Sequence, residues 1–137
     1  GLGSTLFHFH GREFFWRSPF ATTKVAPGTI TSGEPMTYQD LTVEIDGAIA
    51  TICVNRPEKL NALRDQTADE LIDALHSLEQ SAGVKVVILT GNGRAFGTGY
   101  DLSTVDLDAG CDLYTVLEDH FNPLILALRR SRLLIIS

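Results

Sequence analysis

The stretch with the most chemical potential is Gly91-Asn-Gly-Arg-Ala-Phe-Gly-Thr-Gly-Tyr-Asp-Leu102, which gathers Gly91, Gly93, Gly97 and Gly99 into one short segment. Closely spaced glycines let a backbone turn sharply or approach a ligand. A dinucleotide site would need G-x-G-x-x-G running straight into a helix. Here Phe96 stands where the third glycine belongs, and the residues after Gly99 are acidic, so a pyrophosphate would meet negative charge. That reading is set aside. Two others stand open on composition and spacing alone. One is a glycine-rich turn with no chemistry. The other is an oxyanion hole, in which a backbone N–H points into a pocket and stabilises charge developing on a carbonyl oxygen. One such donor typically lowers a barrier by about 2.7–4 kcal/mol.

Other reactive side chains offer less. His8-Phe9-His10 would put both imidazoles on one face of a strand, but no third ligand follows at metal-binding spacing. Cys53 and Cys111 lie far apart with no ligands around them, which suggests neither a zinc site nor a disulfide scaffold. No metal is expected. Asp106, Asp108, Asp112, Glu118 and Asp119 are possible general bases. Their position after the glycine segment reads better as a solvated face.

The elements that must position the glycine segment are legible around it. Leu41–Ile45 alternates apolar and polar residues, as a half-buried strand does. Asp46-Gly47 signals a two-residue hairpin, and Ala48–Val54 returns as a second strand. Pro57 ends it, because proline cannot donate to a ladder. Asp65 reads as the N-cap of a helix with apolar positions Ala68, Leu71, Ile72, Leu75, Leu78 and Ala82. Gly83 suits its C′ position. Lys85–Thr90 reads as a buried parallel strand, making a βαβ unit whose crossover should be right-handed. The glycine segment follows the carboxyl end of that strand, where open α/β sheets bind ligands. Residues 113–130 suit a helix that Pro123 should kink or restart, and Leu133–Ile136 begins another buried strand.

The 137 residues are 44% hydrophobic and 20% charged, which excludes an intrinsically disordered chain. A net charge of −6 argues against a nucleic-acid partner, which would demand Lys and Arg for its phosphates. No apolar run approaches the ~20 residues of a membrane span. Residues 1–35 stand apart: they hold Phe7, Phe9, Phe14, Phe15, Phe20, the only tryptophan (Trp16), Pro19, Pro27 and Pro35. Ser18–Pro35 reads as linker. No continuous apolar h-region marks a secretory signal.

Residues 41–102 resemble the N-terminal part of the crotonase superfamily, the enoyl-CoA hydratase/isomerase family. The resemblance rests on Ile52-Cys-Val-Asn-Arg-Pro-Glu-Lys-Leu-Asn-Ala-Leu63, Glu70-Leu-Ile-Asp-Ala-Leu75, Val87-Ile-Leu-Thr-Gly91 and Gly93-Arg-Ala-Phe-Gly-Thr-Gly-Tyr-Asp-Leu102. Asp119-His-Phe-Asn-Pro-Leu124 is similar to the branch that holds the ring-epoxide isomerases of phenylacetyl-CoA breakdown. The implied fold is α/β, a partial crotonase-like spiral of ββα units. The implied chemistry is fatty-acid-type acyl-CoA lyase or isomerase work: two N–H donors hold the thioester carbonyl, an enolate forms, and a carboxylate moves protons. The CoA thioester is the substrate, and no further cofactor is implied. The backbone N–H of Tyr100 takes the place of the first oxyanion donor, with the ring shaping the acyl pocket. Lys59, Leu60, Ala62, Ala95, Tyr100, Asp101 and Leu102 are the implied CoA-site residues. Within them, Lys59 could meet a phosphate, Ala62 lies where backbone contacts form, and Asp101 caps or anchors the turn. Asn61 is expected to brace its turn through the backbone, and Arg56 and Pro57 to be architectural. The family implies a homotrimer or hexamer, in the cytoplasm or alternatively the mitochondrial matrix.

The family's second oxyanion glycine and its acid/base carboxylates come later than anything matched here. Where it has a Pro-Lys-Pro-like turn, this chain reads Arg129-Arg-Ser-Arg-Leu-Leu134. The expectation is therefore an N-terminal segment or linker outside the family over 1–35, then a truncated N-terminal part of a crotonase-like domain over 36–137, with Met36 as the natural start. Such a chain would be poorly soluble and catalytically incompetent by itself. The alternative function is a non-catalytic CoA-binding pseudoenzyme or fragment.

Overall fold

A computed structural model describes residues 37–105 and 112–137 in full, and the backbone of 7–9 and 12–14. The chain divides into two units, Gly1–Pro35 and Met36–Ser137. In the first, β1 (Phe7–Phe9) pairs antiparallel with β2 (Arg12–Phe14). His8 lies in β1, while His10 is outside the described residues, as are Cys111, Asp106 and Asp108.

The second unit is built on four strands in the order β3-β4-β5-β6. β3 (Leu41–Asp46) and β4 (Ile49–Val54) form the expected hairpin, with Gly47 at φ +58° in its turn, a left-handed conformation that glycine adopts without strain. The helix α1 (Asp65–Gln80) carries the chain to β5 (Val86–Gly91), which pairs parallel with β4. A broken helix then leads to β6 (Leu134–Ile136), parallel to β5. This is the mixed α/β arrangement the sequence implied: one ββα unit followed by further strand–helix–strand structure.

The core lies between the sheet and the helices. Ala50, Ile52 and Val54 of β4 and Val87 of β5 meet Ala68, Leu71, Ala74, Leu75 and Leu78 of α1, all buried. Each large side chain here contributes about 1.5–3 kcal/mol by leaving water. That layer fixes the carboxyl ends of β4 and β5, from which the two site turns spring.

Several boundaries differ from expectation. The N-cap of α1 is Arg64, not Asp65. Thr67, at the third helical position, accepts the Arg64 N–H at 3.2 Å, so the cap residue's own N–H is satisfied from within the first turn. The C-cap is Ser81, and Gly83 falls one position beyond C′ without a positive φ. β5 and β6 were expected buried on both faces. On the side away from the helices, Ile49, Ile88, Leu134 and Ile136 are all exposed. Within residues 112–130, α2 (Leu113–Val116) passes through a π-type segment, Leu117–Phe121, into α3 (Asn122–Arg130). Pro123 has no N–H to offer the Asp119 carbonyl, and just before it Asn122 donates to Leu117, five residues back.

Candidate functional site

Two turns meet at the ends of β4 and β5. The first runs from Asn55 to Arg64. Pro57–Lys59 form a 3-10 turn, and Leu60 and Asn61 follow in consecutive left-handed conformations, φ 51° and 57°. Asparagine tolerates this region; leucine does so rarely, which indicates that the surroundings over-determine the turn. The second turn is Gly91–Leu102.

Asn61 joins them. It is fully buried. Its Oδ1 accepts the Arg56 N–H at 2.9 Å, and its Nδ2 donates to the carbonyls of Asn92 (2.8 Å) and Ala95 (2.6 Å). It braces its own turn, as expected, and the glycine turn as well. Gly91 shows how tightly the second turn closes. A Cβ there would lie 2.5 Å from the carbonyl oxygens of Ala95 and Phe96 and 2.8 Å from Asn61 Nδ2.

Arg56 is the second joint, and the sequence indicated only an architectural role for it. Its guanidinium is buried, meets Asp101 at 2.8 Å and donates to the Ala62 carbonyl. Its Nε lies 3.7 Å from Asp40 Oδ1. Asp40, which no sequence signal singled out, is a buried hub: Arg64 grips both its oxygens at 2.8 Å and the Thr67 hydroxyl donates at 2.6 Å. A lone aspartate before a strand carries no pattern that marks such a role.

A parallel bridge between Leu63 and Tyr100 completes the joint. Leu63 N–H donates to Gly99 (2.8 Å), and Asp101 N–H donates to Leu63 (2.7 Å). Since successive peptide groups of an extended chain alternate in direction, the Tyr100 N–H and C=O face away from Leu63. Gly99 sits at φ +100°, and so supplies the turn into that stretch.

The structure thus brings the expected site residues onto two adjoining turns. Lys59 is exposed, with no carboxylate paired to it among the described residues. Leu60 and Ala95 are half-buried, Leu102 is exposed, and Ala62 is buried. The Ala62 N–H already bonds Lys59 and its carbonyl already accepts from Arg56, leaving one oxygen lone pair for any further contact. The Asp101 carboxylate is turned to Arg56 and to the N–H (3.1 Å) and hydroxyl (2.6 Å) of Ser103, so it anchors the turn. Asp112 and Glu118, weighed as bases, bond locally to Tyr114 and Thr115 and to Asn122.

The buried carboxylates set an acid limit. Hydrogen bonds from Ser103 and Arg56 hold Asp101 down at about 2. Burial acts to raise Asp40, but hydrogen bonds from Arg64 and Thr67 outweigh it and the net shift is downward. Both groups have depressed folded values. Their stabilisation is present above the ordinary aspartate value of 3.8 and is lost as pH falls through the folded value, about 2 for Asp101. Urea unfolding at a series of pH values should show stability falling below about pH 4. Asp101→Asn should lessen that acid slope.

The family model described as enoyl-CoA hydratase/isomerase matches residues 44–137. The chain belongs to that family. It is 40% identical over 78 residues to a hydroxycinnamoyl-CoA hydratase-lyase of Pseudomonas fluorescens, covering 56% of this chain and 28% of that protein. It is 32% identical over 84 residues to the 1,2-epoxyphenylacetyl-CoA isomerase of Escherichia coli K12, covering 59% and 32%. Among solved structures, an enoyl-CoA hydratase/carnithine racemase from Magnetospirillum magneticum matches with a TM-score of 0.65 at 27% identity, over 72% of this chain and 38% of that one. The chain spans about a third of the length of the curated relatives it matches. These family members are named for different reactions on CoA thioesters. Among the described residues no helix is long and apolar enough to cross a membrane.

Proposed function

We propose that the glycine turn seats the carbonyl of an acyl-CoA thioester, with the Tyr100 N–H as one of two hydrogen-bond donors. The observation that carries this reading is the Leu63–Tyr100 bridge. It consumes the Gly99 carbonyl and the Asp101 N–H and turns the Tyr100 peptide group to the opposite side. Such a donor, fixed before the substrate arrives, needs no reorganisation as charge develops on the oxygen, and is typically worth about 2.7–4 kcal/mol. Arg56 and Asn61 hold that geometry in advance. Lys59, exposed at the edge of the first turn, is placed for a CoA phosphate. Leu60, Ala62, Ala95 and Leu102 border the same ligand, and Asp101 keeps the turn closed beneath it.

Acting on this carbonyl, the family's chemistry would be hydration or double-bond isomerisation through an enolate, with a carboxylate moving the proton. The two turns supply one donor and part of the CoA site. A homotrimer or hexamer is the assembly the family implies. The relatives compared are bacterial, which favours the cytoplasm over a mitochondrial matrix.

Calorimetry with crotonyl-CoA tests this directly. Heat of binding is expected, and its absence would overturn the site.

A further inference from the structure

We propose that Asp65 and His120 form a positioning relay for Tyr100, setting where its backbone N–H lies according to whether the His120 imidazole carries a proton. The proposal rests on the reading of that N–H as a carbonyl donor.

The Tyr100 ring is held at both ends. Its hydroxyl donates to Asp65 Oδ1 at 3.0 Å. Its ring packs edge-to-face on Phe121, with centroids 5.5 Å apart and planes at 80°. Asp65 is the first residue of α1, and its other oxygen lies 3.8 Å from His120 Nε2. His120 Nδ1 meets Asp69 Oδ1 at 2.8 Å. The glycine turn, the start of α1 and the π-type segment therefore converge on one imidazole held between two carboxylates. Phe121, on which the Tyr100 ring packs, is the next residue in that segment.

Protonation decides how the imidazole can serve. The charged ring has a donor for each carboxylate. The neutral ring has one N–H. With that given to Asp69 at the shorter contact, the Nε2 lone pair faces Asp65 Oδ2 and the attraction on that side is lost. Among the described residues, the charged groups facing His120 are Asp65 and Asp69 from α1 and Asp119 from its own segment. The Asp69 hydrogen bond, then these charges, raise His120 above its ordinary 6.5 despite partial burial. A raised folded value means the clamp is complete below 6.5 and released as pH rises through the folded value.

Amide and imidazole NMR of the full chain across a pH titration tests the relay. The Tyr100 amide is expected to move with the same midpoint as the His120 imidazole, above that of an ordinary histidine. His120→Gln should abolish the Tyr100 response. Asp65→Asn should abolish it while lowering the His120 midpoint. Tyr100→Phe removes only the hydroxyl and should uncouple the residue 100 amide from His120, which decides the matter even if the other variants fail to fold. A Tyr100 amide that stays flat through the His120 transition, or that still follows it in Tyr100→Phe, would overturn the relay. Crotonyl-CoA added to the same sample separates the two claims. An amide that titrates with His120 but ignores the thioester sinks the donor reading alone; one that responds only to the thioester sinks the relay alone.

Discussion

Arg56→Ala is expected to destabilise the fold by about 3–5 kcal/mol, the usual consequence of removing one partner from a buried ion pair. The Arg56 side chain is 9% exposed, and those of Asp101 and Asp40 are 6% and 4% exposed. Asp40 would keep Arg64 and Thr67. Among the described residues Asp101 would keep only Ser103, and the Ala62 carbonyl would lose its donor. Domains are stable by about 5–15 kcal/mol, so this one change would take a large share. Arg56→Lys should rescue little, because a single ammonium cannot reproduce the planar fork that reaches Asp101 and Ala62 together. Arg56→Met combined with Asp101→Leu should recover most of the loss, since no buried charge is then stranded. Urea unfolding gives the test: the midpoint falls while the slope stays constant. A loss within about 1 kcal/mol, typical of an exposed pair, would contradict the role assigned to Arg56.

Asn61→Ala is the second large effect. The side chain is fully buried and makes three hydrogen bonds across the two turns. Its removal strands an N–H at Arg56 and carbonyls at Asn92 and Ala95, each costing about 1–3 kcal/mol when left unsatisfied. A φ of 57° adds to this, because alanine tolerates the left-handed region less well than asparagine. A loss of at least about 3 kcal/mol is expected. This change frees the glycine turn directly. Amide exchange should therefore accelerate first in Gly91–Leu102, with α1 still protected. Uniform acceleration along the chain would show that Asn61 acts on global stability alone. Asn61→Asp should be no milder, since it aims a carboxylate at two carbonyl oxygens.

The pattern of elements was legible because it is written in local signals. Alternation gave β3, Asp46-Gly47 gave the hairpin, and the helical spacing of Ala68, Leu71, Leu75 and Leu78 gave the buried face of α1. The backbone braces were partly legible too, since an asparagine between Leu60 and Ala62 favours a turn whichever fold surrounds it. The long-range partners were not. Nothing local ties Asp40 to Arg64 and Thr67, or Arg56 to Asp101, because each pair meets only when strands and turns far apart in sequence are brought together. The start of α1 misled for a related reason: Asp65 is a good cap in isolation, but its carboxylate serves Tyr100 from the first helical position instead. Strand burial misled as well. An apolar run such as Val86–Leu89 states that side chains prefer to be covered, not which faces have something packed on them.

The central claim is that the pinned turn presents the Tyr100 N–H to a thioester carbonyl. The carbonyl carbon resonance of crotonyl-CoA, isotopically labelled at that carbon and mixed with the chain, reports it most directly. A donor that polarises the bond should shift this carbon downfield on binding. The shift should shrink in Asn61→Ala samples that remain folded. A bound thioester whose carbonyl resonance matches that of the free ligand would contradict the claim.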